Sequence, residues 1–240
     1  MEFSKRKIII SSWNTMKTHL GLWMLIMLLI LGLNLLLGNI QEELLGKITL
    51  QTMLFTIAAY LFQMGLNLGM LRIALNINNT NETNIKDLVG SFHMLIPYML
   101  ATIIFLAIML LVAFPGIVLL LMFISSDWET IVALEWLNSG TMFIAALLII
   151  VPTVYVSIRL QFYDYFLIDN ECSILGSITK SAKITKGFVG ELFILGAILS
   201  IIVLISIIPL GVGLIISIPL GIMVNTYIYQ KLKKHQLKTN

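Results

Sequence analysis

Residues 94–125 read MLIPYMLATIIFLAIMLLVAFPGIVLLLMFIS and contain no charged side chain. About 20 apolar residues suffice to cross the hydrocarbon core of a bilayer as an α-helix, so this run is long enough for one crossing with residues to spare. The whole chain has 240 residues, of which 59% are hydrophobic and 11% charged. Soluble domains carry roughly 25% charged residues, so the composition indicates an integral membrane protein.

Five further apolar segments accompany this run, and the connections between the six are short. The sequence therefore predicts an all-α, polytopic fold in a single transmembrane domain spanning residues 1–240, with no room for a soluble domain. The six predicted spans are residues 20–37, 53–75, 94–125, 142–160, 192–208 and 214–229.

Basic residues are distributed unequally between the two sides of this pattern. Of the 15 Lys and Arg residues, all except Lys47 fall at the termini or in the loops that share a side with them. Because basic residues beside spans stay on the cytoplasmic face, both termini are predicted to lie inside. The basic start of the chain is similar to a signal peptide, but its apolar run is long and lacks a small-residue cleavage pattern, which favours a retained first helix.

Two short amphipathic helices are predicted on the inner side. Ile85, Leu88, Val89 and Phe92 recur at helical spacing, with Thr83 or Asn84 as the cap. The second helix covers Ser173–Lys186 and ends at Gly187. We expect it to contact anionic lipid headgroups through a basic flank consisting of Lys180, Lys183 and Lys186.

The long third span contains Pro115-Gly116 about two thirds of the way along it. Proline removes a helix hydrogen bond and clashes with the preceding turn, so a break is predicted there. We expect the helix to cross and then bend, with residues 117–124 along the outer surface, although a re-entrant loop is an alternative. An outer interfacial helix is predicted from Ser126 to Gly140.

Amides within the predicted spans are candidates for a functional site. Gln63 and Asn67 lie in the second span, beside Gly65 and Gly69, and Asn225 lies in the sixth. Small residues in this spacing are typical of a helix-packing seam, which amides can strengthen. Alternatively, Gln63, Asn67 and Asn225, with Asn34, line a path for a polar or amphiphilic solute.

Two arginines end helices at the predicted inner interface. Arg72 and Arg159 can extend their side chains to lipid phosphates, so both are candidate headgroup contacts. A sharper hypothesis is that Arg159 faces Asp164 or Asp169 and builds a polar cluster that holds the second inner helix.

Patterns for catalysis, metals and cofactors were sought without success. Tyr163-Asp164 is similar to half of the intramembrane aspartyl protease signature, but the glycine-x-glycine of the later spans, Gly211-Val212-Gly213, is followed by Leu214 rather than by the aspartate that would complete the pair. His19, His93 and His235 lie at or beyond span ends, and no Walker A loop, HExxH helix or paired-cysteine site is present. We therefore expect no enzyme activity, no metal or other cofactor and no nucleic-acid partner.

Two segments resemble a known family. From Ile149 the chain reads IIVPTVYVSIRLQFYDYFLIDNECSILGSITKSAKITKG, and its last part includes GVGLIISIPLGIMVNTYIYQKL. A proline-bearing span, an aromatic stretch, Ile168-Asp169, a Ser-x-x-x-Thr-x-Gly segment and a glycine-proline hairpin occur in this order. This resembles the uncharacterised bacterial six-helix membrane family related to the membrane domain of glycerophosphoryl diester phosphodiesterases.

The resemblance implies a module of the bacterial cytoplasmic (inner) membrane, near lipid or envelope processes, without the phosphodiesterase catalytic domain. The favoured hypothesis is a non-enzymatic scaffold or accessory protein that engages anionic lipids, a partner membrane protein or a second copy. The alternative is a small permease or exporter for a lipid or amphiphilic solute.

Overall fold

The computed structural model describes residues 4–45, 50–80, 82–126, 140–169, 172–209 and 211–239, and this part of the chain is helical, with no strand in it. The helices are α1 Lys5–Thr18, α2 Leu20–Leu45, α3 Leu50–Thr80, α4 Asp87–Gly90, α5 Leu95–Ser126, α6 Gly140–Leu160, α7 Tyr163–Ile168, α8 Ile174–Ile184, α9 Val189–Ile207 and α10 Leu214–Thr239. The predicted outer helix falls on 127–139 and lies outside the described residues.

Five helical segments in the described part of the chain are long and apolar enough to cross a membrane, which indicates a multi-pass membrane protein. They coincide with the first five predicted spans and are Leu20–Ile40, Leu50–Thr80, Asp87–Met122, Met142–Ile168 and Val189–Ile207. The sixth predicted span is the first part of α10, which is not among the five. Since α10 also carries Asn225, Gln230 and several lysines, its apolar portion is short, and six spans stay a prediction.

The helices pack tightly at one end of the bundle and separate at the other. We call the first the termini end, because α1 and the last turns of α10 pack together there. Its core includes Trp23, Ile73, Phe162 and Tyr229, each at most 1% exposed. At the opposite end, which we call the far end, side chains such as Leu36, Leu111 and Ile208 are largely exposed, as suits lipid-facing surfaces.

Helix α1 was missed by the sequence analysis, which treated the basic N-terminus as a flank. Its buried residues Ile8, Ser12 and Met16 follow one another at a spacing of four, so they form one stripe, and α1 packs along α10. The spacing of four is visible in the sequence and predicts a helix. The basic residues around it were interpreted only as evidence that the N-terminus lies inside.

The predicted glycine seam on α3 is confirmed, although its partner is a loop rather than another span. A Cβ placed on Gly69 would lie 2.0 Å from the backbone oxygen of Leu88, and one on Gly65 would lie 2.5 Å from the Phe92 ring. The absence of side chains at these glycines lets α4 and the following turn approach α3 closely.

The predicted amphipathic helix over 85–92 is wrong. The chain forms the single turn α4 and then a separate 3₁₀ turn at Phe92–Met94. Asn84 caps the turn that leads into α4, as predicted: its side chain accepts from the Lys86 N–H at 3.1 Å, and its own N–H donates to the Asp87 carboxylate at 3.1 Å. The Thr83 hydroxyl donates to the same carboxylate at 3.3 Å. The close approach to Gly69 and the interruption at Gly90-Ser91 leave no room for a longer helix.

Helix α5 continues without interruption through Pro115, so the predicted break is wrong, and residues 117–124 belong to the same helix rather than to a re-entrant loop. Its neighbour Gly116 explains the continuity, because a Cβ there would lie 2.9 Å from the Ala145 oxygen and from the Ile149 nitrogen. Close packing along α6 therefore supports the helix across the proline. A bend of its axis stays a prediction.

Replacing Gly69 with alanine is expected to destabilise the protein by about 1–3 kcal/mol, because the new methyl group meets the Leu88 backbone rather than a movable side chain. Thermal unfolding in detergent micelles measures this. Gly196→Ala in α9 is the matched control, since nothing lies within 4 Å of its Cβ position. Equal melting temperatures for the two variants would contradict the seam.

Candidate functional site

The chain turns sharply between the end of α6 and the start of α7, at residues 159–163, which we call the corner. Two hydroxyl side chains, one on α8 and one at its C-terminus, form hydrogen bonds with the backbone there. The Ser181 hydroxyl accepts a hydrogen bond from the Phe162 N–H at 3.1 Å and donates to the Arg159 carbonyl at 3.2 Å. The Thr185 hydroxyl also donates to the Arg159 carbonyl, at 2.9 Å. Ser181 and Thr185 are both fully buried, so these bonds satisfy backbone groups that the helix break would otherwise leave without partners.

Helix α8 has the predicted position but ends at Ile184, two residues before the predicted end at Lys186. The Ser173 hydroxyl caps its N-terminus by accepting from the Gly176 N–H at 3.3 Å, and Gly187 lies just beyond its C-terminus with a φ of +84°. Its buried face includes the small polar residues Ser177 and Ser181, whereas Leu175 is 64% exposed.

An aromatic cluster joins α7 to α10. The Tyr229 ring lies 5.0 Å from that of Phe166 and 5.2 Å from that of Tyr165, measured between centroids. The Tyr229 hydroxyl donates to the Asp169 carboxylate at 2.6 Å, and Lys233 forms an ion pair with the same oxygen at 3.3 Å. These contacts fix the basic end of α10 against the corner.

The hypothesis of an Arg159–carboxylate cluster is wrong. Asp169 pairs with Lys233, Asp164 accepts from the neighbouring Tyr165 N–H, and within the described ranges no ion pair joins Arg159 to either carboxylate. Arg159 holds α8 through its backbone carbonyl, whose bonding does not depend on the side chain.

The three lysines predicted to contact lipid differ in exposure. Lys183 and Lys186 are exposed, whereas Lys180 is partly buried, with its ammonium 5.9 Å from the centre of the Phe166 ring. Lys180 therefore also stabilises the contact of α8 with α7. Lys183 extends from a helix whose opposite face is buried, and Lys186 lies two residues beyond the end of that helix, so both charges face outward.

Arg72 is less accessible than predicted. Its Nη1 atom is buried, and no residue in the described part of the chain accepts a hydrogen bond from it. Because this nitrogen is buried, it cannot contact a lipid headgroup, and a headgroup contact by the rest of the Arg72 side chain stays a prediction.

A groove of about 550 Å³ lies between α3 and α5, which diverge beyond the glycine seam. Its wall is mainly apolar, with amide, hydroxyl and phenol groups interspersed. The residues that line it are Thr56, Ile57, Tyr60, Leu61, Gln63, Met64, Asn67, Tyr98, Met99, Thr102, Ile103 and Leu106. The structure thus brings the predicted site residues Gln63 and Asn67 into one groove.

The other predicted amides lie elsewhere. Asn34 on α2 accepts a hydrogen bond from the Gln63 amide at 3.0 Å and lines a second groove, of about 420 Å³, between α2 and α10. Asn225 lines neither groove. That Asn225 shares one path with Gln63 and Asn67 therefore stays a prediction.

The hydroxyl contacts of the corner were also missed by the sequence analysis. Ser177, Ser181 and Thr185 recur every four residues along one face of α8, and this polar stripe was the available signal. Ser181 and Thr185 also belong to the Ser-x-x-x-Thr-x-Gly segment named above, but no local pattern shows that their hydroxyls bind the Arg159 carbonyl.

Comparison of the chain with protein-family models, curated proteins and solved structures gave no match. The resemblance to the six-helix family therefore stays a prediction, and the argument for function depends on the geometry of the site.

Removing the corner hydroxyls, as Ser181→Ala with Thr185→Val, is expected to destabilise α8 by about 1–3 kcal/mol, because the Arg159 carbonyl and the Phe162 N–H lose buried partners. Hydrogen–deuterium exchange of residues 173–187 should accelerate. Thr179→Val is the control, since that exposed hydroxyl bonds only to the Gly176 carbonyl of its own helix. Unchanged exchange in the double variant would show that the corner is held by other contacts.

Proposed function

We propose that this chain is a non-enzymatic scaffold or accessory protein of the bacterial cytoplasmic membrane whose basic termini end binds anionic lipid headgroups. In this proposal it crosses the bilayer six times with both termini inside, and it positions a partner membrane protein or a second copy at a lipid surface. This agrees with what the resemblance to the phosphodiesterase-related membrane family implies.

The observation that carries the proposal is the fixed position of α8. The corner hydroxyls and the Lys180–Phe166 contact attach one face of this helix to the bundle, which leaves Lys183 and Lys186 exposed on the other. Each basic residue near an anionic membrane surface contributes about 1 kcal/mol to binding. A rigid helix presents such charges without the entropy cost of ordering a loop.

The path of α10 supports a sixth crossing. Its first residues line the groove beside α2, while Tyr229 and Lys233 contact α7 at the termini end. The helix therefore returns along the bundle from the far end, as a final outside-to-inside span requires.

A small permease or exporter for a lipid or amphiphile is the second candidate. The groove between α3 and α5 favours it, because polar side chains line an apolar recess within two candidate spans. Reconstituted protein that moves a fluorescent lipid between leaflets, with a loss of rate in Gln63→Leu, would support this candidate over a scaffold.

The proposed topology predicts that cysteines at positions 83 and 236 are protected from a membrane-impermeant maleimide in intact cells, whereas one at 130 is labelled. The background variant is Cys172→Ser, which keeps a donor for the Phe166 carbonyl, 3.7 Å from the native sulfur. Permeabilised cells provide the control for reactivity. Labelling of position 83 or 236 from outside would contradict the orientation.

Reversing the two exposed lysines, as Lys183→Glu with Lys186→Glu, is expected to weaken anionic headgroup binding by about 2 kcal/mol or more. In nanodiscs, anionic lipid should protect residues 173–187 of the wild type from hydrogen exchange relative to neutral lipid, and this protection should vanish in the variant. The matched control, Lys183→Arg with Lys186→Arg, retains charge and should retain protection. Equal protection in the Glu variant would overturn the proposal for α8.

A further inference from the structure

We infer that the groove between α3 and α5 binds an uncharged lipid whose hydrogen-bonding group contacts the Asn67 amide. The inference deepens the second candidate function, because it names the ligand class of that groove, but lipid binding there does not require transport.

Asn67 is the first observation. Its side chain is exposed on α3, although its neighbours Leu66 and Leu68 are buried, and it forms no hydrogen bond with any residue that the structure describes. At 1.5 Å per residue it lies about 8 Å along α3 from Arg72, within the predicted span 53–75. An amide left unpaired in hydrocarbon costs several kcal/mol, so an external partner is expected.

Most other polar groups of the groove are already engaged. The Gln63 amide donates to Asn34, and the Thr102 hydroxyl lies 2.8 Å from the Tyr98 carbonyl and 3.1 Å from the Tyr163 hydroxyl. The Tyr60 hydroxyl is exposed and forms no hydrogen bond with a described residue, so it can also contact a ligand. Asn67 is the amide of the groove whose donors and acceptor are both available.

The charge of the groove indicates the ligand class. None of its twelve lining residues is Lys, Arg, His, Asp or Glu. A phosphate or ammonium group placed there would lose its hydration without a countercharge, which is strongly unfavourable. An ester, hydroxyl or amide can exchange hydrogen bonds with Asn67 and stay neutral. Charged headgroups belong instead at the basic termini end.

The size and lining of the groove suit acyl chains. Its volume of about 550 Å³ falls within the range of roughly 300–1,000 Å³ that is typical of small-molecule sites. Ile57, Leu61, Ile103 and Leu106 provide apolar walls on both helices. A lipid with a neutral polar group and hydrocarbon chains matches both parts of this surface.

The test compares two photoactivatable lipids with identical chains in nanodiscs: a diacylglycerol and the corresponding phosphatidic acid. Cross-linked peptides identified by mass spectrometry should map the diacylglycerol to residues 56–67 and 98–106, with weaker labelling by phosphatidic acid. Asn67→Leu should lower diacylglycerol labelling about fivefold, the loss expected for one hydrogen bond, and Asn67→Gln should restore much of it.

Asn225→Leu is the matched control, because it removes an amide from a span-forming segment outside the groove and should leave labelling unchanged. Melting temperatures of all variants establish that they fold. Equal labelling of the wild type and the Asn67→Leu variant, equal labelling by phosphatidic acid, or cross-links between two copies through the groove would each overturn the inference. Groove labelling without lipid movement between leaflets would support the site and contradict the transport function.

Discussion

The packing of the termini end depends on hydrogen bonds to the backbone at the α6–α7 corner. Where α6 stops, the Arg159 carbonyl and the Phe162 N–H lose their helical partners, and the buried hydroxyls of Ser181 and Thr185 replace them. Because buried backbone groups are expensive to leave unpaired, this corner determines where α8 lies. Helix α7 then carries the aromatic cluster and Asp169 to α10, so the positions of the basic surface, the last helix and the corner are linked.

The two ends of the bundle expose different kinds of side chain. At the termini end, glycines, small hydroxyl residues and aromatic rings pack closely and leave charges on the outside. Towards the far end, α3 and α5 diverge, so side chains that would be core residues in a tighter bundle face hydrocarbon instead. The result is a charged surface suited to headgroups and, separately, a neutral groove suited to the interior of the bilayer.

Much of the architecture could be predicted because it depends on local patterns. The apolar runs identified five helices that can span a membrane, and Ser173 and Gly187 marked the ends of α8. Predictions failed where a residue's partner mattered more than its type. Pro115 was expected to break α5, but close packing at Gly116 keeps the helix continuous. Periodicity alone predicted α8 but not its hydroxyl contacts, because the backbone groups that Ser181 and Thr185 bind lie about 20 residues away in the chain.

The amino-acid sequence by itself determined that this is a membrane protein made of helices, since hydrophobic length and helical periodicity depend only on neighbouring residues. It also placed Gln63 and Asn67 within a span, where any polar side chain needs a partner. Only the tertiary structure decided which partners meet: Asp169 binds Tyr229, 60 positions away, rather than Arg159, and Asn225 lies apart from the groove. The reason is geometric, because the crossing and divergence of helices set the distances between residues far apart in the chain, and no local pattern encodes those distances.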